Sequence, residues 1–104
     1  MRFIRPTSLN PQSFILDVRT EEEHERVALG MPHTHKELSE LNPPEFLLEN
    51  NLMDGDKTIN ILCASGIRAS QAAEMFENFG FDNVAVVIGG IVEAEYAGLK
   101  IVRH

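Results

Sequence analysis

The chain reads TINILCASGIR from residue 58 to residue 68, and this stretch decides the fold. Its apolar first half has the length of a buried strand and ends on Cys63, the only cysteine. A helical pattern follows, because apolar residues recur at spacings of three and four until Gly80 provides a stop signal. These apolar positions are Ala69, Ala72, Ala73, Phe76 and Phe79. The stretch therefore predicts a strand, a tight loop over residues 63–68, and a helix.

This arrangement places a thiol where unpaired backbone donors meet. The N–H groups of a loop and of the first helical turn lack carbonyl partners, so they converge on whatever lies at the end of the strand. Here that group is the sulfur of Cys63, and Arg68 adds a positive charge. Such surroundings stabilise a thiolate and make it a nucleophile near neutral pH. The alternative is a small buried hydrophobe, and the residues alone leave both interpretations open.

Length and charge narrow the class of protein. A chain of 104 residues is long enough for one core, so we expect one domain over residues 1–104, with residues 1–12 as a short N-terminal segment. The formal net charge of -7, without a basic cluster, argues against nucleic acid or an anionic membrane as a partner. No stretch is apolar enough for a membrane span or a signal core, and one cysteine allows no internal disulfide. We therefore expect a cytoplasmic protein.

Apolar runs of strand length alternate with helical patterns along the chain. The predicted strands are 3–4 at an edge, 13–18, one short strand within 33–38, 58–62 and 84–88. The predicted helices run from 21 to before 30, from 43 to about 50, from the central loop to 79, and from 91 to about 97. Residues 99–102 form a tail that can lie back along the sheet. This order predicts an α/β fold, in which helices cover both faces of a parallel sheet.

Two of these helices begin with capping signals. Thr20 followed by Glu23 is a capping box, in which the hydroxyl and the carboxylate each accept from the other's backbone N–H. Asn42 followed by Pro43 combines a capping side chain with proline at the first helical position.

In a parallel sheet the chemistry gathers beyond the carboxyl ends of the strands. Asp17, Cys63 and Gly89 all fall there. The pair Gly89-Gly90 is predicted to be a turn that lets the last helix pass close to the loop, and not to be catalytic.

The histidines are weaker candidates. His33 and His35 could ligate a metal, but no carboxylate or cysteine stands at a supporting spacing along the chain, so we predict no metal site. We instead interpret them as a pair of loop histidines, one of which can help to line a cleft. His24 lies inside an acidic helix and is interpreted as a half-exposed surface residue rather than a catalytic base.

Several motifs taken together resemble one known family. They are Asp17-Val18-Arg19 before an acidic helix, Cys63-Ala64-Ser65-Gly66-Ile67-Arg68 opening a helix, Gly80-Phe81-Asp82-Asn83-Val84, Gly89-Gly90-Ile91, and Gly98-Leu99. In this order and spacing, residues 14–102 resemble a single-domain rhodanese, which is a sulfurtransferase. The resemblance implies a rhodanese-like fold with a central parallel sheet of about four to five strands, and it favours Cys63 as the nucleophile.

The resemblance also implies a reaction. Cys63 takes a sulfane sulfur from a small anionic donor such as thiosulfate, holds it as a persulfide, and passes it to an external thiol or cyanide. Arg68 and the backbone of the loop bind the donor, Arg19 contacts it, and Asp17 supports the loop. The other loop residues are Ala64, Ser65, Gly66 and Ile67. The resemblance implies no metal or organic cofactor.

Other functions and roles stay open. The domain could be a sulfur carrier or interaction module with little turnover, since without a second cysteine any persulfide needs an outside acceptor. A phosphatase-like domain is disfavoured, because such enzymes place five residues between the cysteine and the arginine, whereas four separate Cys63 from Arg68. Asp17 and Arg19 could instead form an ion pair that ties the strand end to the helix start.

Two departures from the family pattern affect surfaces. The front of the chain, residues 7–12, is too short for the family's usual first helix, which leaves apolar sheet surface poorly covered and suggests a homodimer. Residues 27–33 replace the family's Gly-His-Ile-Pro-Gly-Ala segment, so the cleft wall that this segment builds is not predicted.

Overall fold

The computed structural model, which describes residues 1–104, contains seven β-strands and four α-helices. The strands are β1 (Arg2–Ile4), β2 (Phe14–Asp17), β3 (Val27–Leu29), β4 (Thr34–His35), β5 (Ile59–Leu62), β6 (Val84–Val87) and β7 (Ile101–Arg103). The helices are α1 (Glu21–Arg26), α2 (Pro43–Glu49), α3 (Ile67–Phe79) and α4 (Gly90–Tyr96). None of these helices combines the length and the apolar character needed to cross a membrane.

Five strands form one parallel sheet with β5 at its centre. The order is β1-β6-β5-β2-β4, and every neighbouring pair runs parallel. Ile61 of β5 lies opposite Leu16 of β2 and Val86 of β6. All four residues of β5 are buried, as expected for an unbroken apolar strand between two covered faces. The predicted α/β fold with a parallel sheet of four to five strands is confirmed.

Helices α2 and α3 cover one face of this sheet. The larger buried cluster joins Ile61 to Phe46 of α2 and Phe76 of α3. The two phenylalanine rings meet edge to face, with 5.9 Å between their centroids. Ala72 and Ala73 of α3 are fully buried, and their small side chains let the helix backbone approach the sheet. This packing fixes the start of α3, and with it the loop that follows β5.

Helix α4 and a small second sheet cover the other face. Ile15, Leu62 and Val87 are at most 1 % exposed and share a second buried cluster with Ile91 of α4. The centre of this face is therefore covered, whereas Phe3 of β1 and Ile88 after β6 are 60 % and 47 % exposed. A homodimer stays a prediction.

The second sheet pairs β3 with β7 and corrects two expectations. The strands are antiparallel, with Ala28 opposite Val102, so the tail pairs with β3 rather than lying along the central sheet. The first helix ends at Arg26, not just before Gly30, because the next residues form β3. Val27 is β-branched and favours a strand, and β7 supplies the backbone partners that a longer helix would supply itself.

Both predicted caps are confirmed. The Thr20 hydroxyl accepts from the Glu23 N–H at 3.2 Å, and the Glu23 carboxylate accepts from the Thr20 N–H at 3.0 Å. At α2, the Asn42 side chain accepts from the Glu45 N–H at 3.1 Å. The first cap matters for the site below, because it orients the Glu23 carboxylate at the carboxyl end of the sheet.

Candidate active site

Cys63 directly follows β5 and lies at the base of the loop. The residue is 1 % exposed and belongs to the larger apolar cluster, yet its Sγ accepts a hydrogen bond from the Gly66 N–H at 2.9 Å. Gly66 has a φ of +115°, which residues with a side chain rarely adopt, and this turn brings its amide back to the sulfur. The thiol therefore has a polar partner from its own loop in addition to its apolar neighbours.

The other N–H groups of the loop and the first turn of α3 donate to no acceptor within the chain. They belong to Ala64, Ser65, Ile67, Arg68 and Ala69. The backbone bonding of the helix begins with the Ser70 N–H, which donates to the Gly66 carbonyl at 3.1 Å. Unpaired donors and the positive end of the helix dipole favour an anion at this position.

The turn before α4 brings that helix against the loop, as predicted for Gly89-Gly90. The Ile91 N–H donates to the Cys63 carbonyl at 2.8 Å. Gly90 has a φ of +59°, and a Cβ at this residue would lie 2.2 Å from the Cys63 carbonyl oxygen. Only glycine fits this contact, so α4 packs on the loop backbone itself.

Arg68 ends the loop and is held by Glu23 of α1. Its guanidinium donates to both carboxylate oxygens, at 2.6 and 2.9 Å. The hydrogen bonds from Arg68, with further ones from Thr20, hold the pKa of Glu23 down to about 2, although partial burial opposes this. The hydrogen bond to Glu23 in turn raises the pKa of Arg68. Both groups are charged at neutral pH, so the Arg68 charge is compensated locally.

Asp17 and Arg19 form a second pair, which is buried. Asp17 is 0 % exposed and Arg19 is 3 % exposed, and the guanidinium donates to the carboxylate at 2.8 Å. Arg19 also donates to the Val27 carbonyl at 2.7 Å. The pair thus ties the end of β2 to β3. This arrangement is similar to the alternative given by the sequence, in which Asp17 and Arg19 form an ion pair between a strand end and a helix start. Direct contact between Arg19 and a donor stays a prediction.

Three histidines from separate segments meet beside this pair. The Nε2 atoms of His24 and His33 are 2.7 Å apart, and the rings of His24 and His35 stack with 4.2 Å between centroids. His24 is half-buried, in line with the sequence-based interpretation, and this burial lowers the pKa of His24, followed by the charge of His35. Although spacing along the chain offers no supporting carboxylate, the fold brings Asp17 next to His24 and His33.

A cleft of about 310 Å³ opens beside the loop. Its lining combines apolar side chains with several charged ones: Arg19, Glu23, Arg26, Val27, Ala64, Ile91, Val92, Glu95 and Arg103. Of the three arginines in this lining, Arg19 pairs with Asp17 and Arg103 pairs with Glu95, whereas Arg26 has no carboxylate partner. The cleft has room for a small molecule next to the active loop.

Sequence reasoning missed the second role of Glu23. The capping box was visible, but the contact with Arg68 spans 45 residues, and no local pattern signals it. The cleft wall built by Val27 is also not predicted, because the sequence pattern places that residue in a helix.

Comparison with known proteins agrees with this geometry. The model of the Rhodanese-like domain matches residues 7–96. The mitochondrial thiosulfate sulfurtransferase RDL2 of Saccharomyces cerevisiae is 34 % identical over 68 residues, which are 64 % of this chain and 39 % of the yeast protein. The match therefore spans well under half of that relative.

Solved structures show the same fold. The crystal structure of a rhodanese-related protein from Thermoplasma volcanium superposes with a TM-score of 0.75 at 25 % identity and covers 98 % of both chains. A NAD-dependent persulfide reductase from A. fulgidus has a TM-score of 0.65 at 31 % identity, over 88 % of this chain and 15 % of that one. Because the family match spans most of the chain and the fold agrees over nearly its full length, the resemblance seen in the sequence is confirmed, and the chain belongs to the Rhodanese-like domain family.

Proposed function

We propose that the protein is a sulfurtransferase that moves a sulfane sulfur from thiosulfate, or a similar anionic donor, to a thiophilic acceptor through a persulfide on Cys63. The observation that carries the proposal is the setting of the sulfur. Sγ accepts the Gly66 N–H at 2.9 Å, and five further N–H groups of the same loop and of the first turn of α3 have no acceptor in the chain. These donors suit a thiolate and the additional sulfur of a persulfide.

The first half-reaction loads the cysteine. The Cys63 thiolate attacks the outer sulfur of thiosulfate, a new S–S bond forms, and the old S–S bond breaks. Sulfite leaves with the bonding electron pair, and the product is a persulfide anion on Cys63. The helix dipole of α3 and the Arg68 guanidinium at its first turn favour both the entering anion and the departing sulfite.

The second half-reaction removes the sulfur from the Cys63 persulfide. Cyanide, or a thiolate from outside, attacks the terminal sulfur, and the Cys63 thiolate leaves with the electron pair of the S–S bond. The products are thiocyanate or a new persulfide, together with the original enzyme. Cys63 is the only cysteine, so the chain cannot close an internal disulfide over its own persulfide. An external acceptor is therefore required, and the cleft beside Ala64 is its proposed entry.

A carrier role with slow turnover is the second candidate. It is favoured by the two hydrogen bonds between Arg68 and Glu23, which compensate the charge that would otherwise attract a small dianion. A domain of this kind would receive its sulfur from a partner protein and release it to another.

A steady-state assay distinguishes the two. Thiocyanate formation is measured with thiosulfate and cyanide for the unchanged protein and for Cys63→Ser. An enzyme forms thiocyanate over many turnovers, whereas a carrier forms at most about one equivalent per chain on the same timescale. Activity that survives Cys63→Ser would end both proposals.

A further inference from the structure

Two imidazole nitrogens that approach within hydrogen-bond distance need a proton or a cation between them. The Nε2 atoms of His24 and His33 are 2.7 Å apart. The Nδ1 atom of His33 lies 2.8 Å from the Met31 carbonyl oxygen, which can only accept, so Nδ1 carries the proton. The Nε2 of His33 therefore presents a lone pair to His24.

His24 can present a lone pair as well. Its Nδ1 makes no hydrogen bond within the chain, so this atom can carry the ring proton and leave Nε2 free. The His35 ring stacks on His24 at an interplanar angle of 7° and holds its orientation. His35 itself donates from Nε2 to the Arg19 carbonyl at 2.7 Å, which makes it a supporting group rather than a third imidazole ligand.

A carboxylate lies next to the two imidazole nitrogens. One oxygen of Asp17 and one ring nitrogen from each of His24 and His33 all lie within 4.8 Å of one another. Asp17 is fully buried and is oriented by Arg19, and the His33 ring is oriented by the Met31 carbonyl. Hydrogen-bonded partners of this kind are what hold metal ligands in place in known sites.

We propose that Asp17, His24 and His33 form a site for a divalent transition metal of the Zn²⁺ class, with a fourth position open to water. Two imidazoles and one carboxylate suit Zn²⁺ better than Mg²⁺ or Ca²⁺, which prefer oxygen ligands. Tetrahedral ligands at about 2.0–2.2 Å from a metal lie about 3.3–3.6 Å apart, so the two rings must separate slightly and the carboxylate must move closer. The metal replaces the proton that the imidazoles share.

The site reverses the sequence-based expectation of no metal and is independent of the persulfide chemistry. Its ligands come from β2, α1 and the segment before β4, so a bound ion would link three elements. His24 follows Glu23, the partner of Arg68, so the ion would also fix the helix that braces the active loop. The charge of Arg19 opposes the cation, and we therefore expect weaker binding than at a site of three histidines.

Calorimetric titration with Zn²⁺ tests the proposal in the chain carrying Cys63→Ser, which removes the thiolate as a competing ligand. We expect one ion per chain, and a loss of affinity of about tenfold or more for His33→Gln or His24→Gln. His104→Gln is the matched control, because His104 is exposed at the C-terminus, and it should bind as before. Equal affinity in all four proteins, or no binding, would overturn the site.

A second measurement does not depend on the variants folding. In the protein in which no histidine is substituted, Zn²⁺ should shift the imidazole Nε2 resonances of His24 and His33 in ¹⁵N NMR spectra and leave that of His104 unchanged. Shifts confined to His104, or no shifts at stoichiometric Zn²⁺, would contradict the proposal even if the substituted chains do not fold.

Discussion

The Arg68 guanidinium donates two hydrogen bonds to the Glu23 carboxylate, at 2.6 and 2.9 Å, and so joins the loop of Cys63 to helix α1. The capping box at Thr20 orients the same carboxylate. One side chain therefore closes a helix start and compensates the cation of the active loop. This relationship makes the charge at the loop adjustable by a single substitution.

Replacing Glu23 with glutamine should strengthen binding of an anionic donor. Glutamine still accepts the Thr20 N–H, so the cap is largely kept, while the Arg68 charge is no longer compensated. We expect KM for thiosulfate to fall by about threefold to tenfold, because a unit charge a few ångströms away contributes about 1 kcal/mol or more. Glu22→Gln removes the same charge from the exposed face of α1 and is the control. An equal KM in the two variants would contradict this account of Glu23.

The same carboxylate should make folding sensitive to acid. The pKa of Glu23 is lowered from 4.5 to about 2 by Arg68 and Thr20, so its contribution to stability is full above about pH 4.5 and is lost as the pH falls through 2. Because the pair is partly exposed, we expect about 1 kcal/mol. Urea unfolding of the unchanged protein and Glu23→Gln should show a difference at pH 6 that shrinks at pH 2.5. A difference that is constant with pH would exclude the ion pair as its source.

Removing Arg68 should impair donor use far more than folding. For Arg68→Ala we expect kcat/KM for thiosulfate to fall by about tenfold to a hundredfold, because charge-assisted hydrogen bonds contribute about 1.5–3 kcal/mol. The free energy of unfolding should fall by about 1 kcal/mol or less, since the pair with Glu23 is partly exposed. Both quantities are measured on one preparation. If the losses of transition-state stabilisation and of folding free energy are equal, Arg68 is a structural residue.

The contact between Gly90 and the loop should tolerate no side chain. A Cβ there meets the Cys63 carbonyl oxygen at 2.2 Å, so Gly90→Ala must displace α4 from the loop. We expect a loss of about 3 kcal/mol or more in the free energy of unfolding. Gly98→Ala is the matched control, because Gly98 also has a positive φ, of +93°, but nothing lies within 4 Å of its Cβ position, and about 1 kcal/mol is expected. Similar losses of unfolding free energy in the two variants would show that the positive φ, rather than the close approach of Gly90 to the loop, causes the destabilisation.

Local signals in the sequence predict the parts of the structure that neighbouring residues determine. The spacing of Ala69, Ala72 and Phe76 predicts α3, Gly80 marks its end, and the box formed by Thr20 and Glu23 predicts the start of α1. In each case the deciding interactions lie within a few residues along the chain.

Contacts between distant segments were not predictable from those signals. Strand β3 forms only because β7 pairs with it, Ala28 opposite Val102, and three-residue strands have too little pattern of their own. The contact of Arg68 with Glu23 and that of His24 with His33 likewise depend on the fold, not on spacing. The loop could be identified from sequence, whereas the charge balance around it could not.

The most direct test of the central claim is intact-protein mass spectrometry after incubation with thiosulfate. The account predicts that the protein gains the mass of one sulfur atom, that fragmentation locates this sulfur on Cys63, and that cyanide removes it. Cys63→Ser should gain nothing under the same conditions. No gain in the unchanged protein, or an equal gain in Cys63→Ser, would contradict the persulfide account.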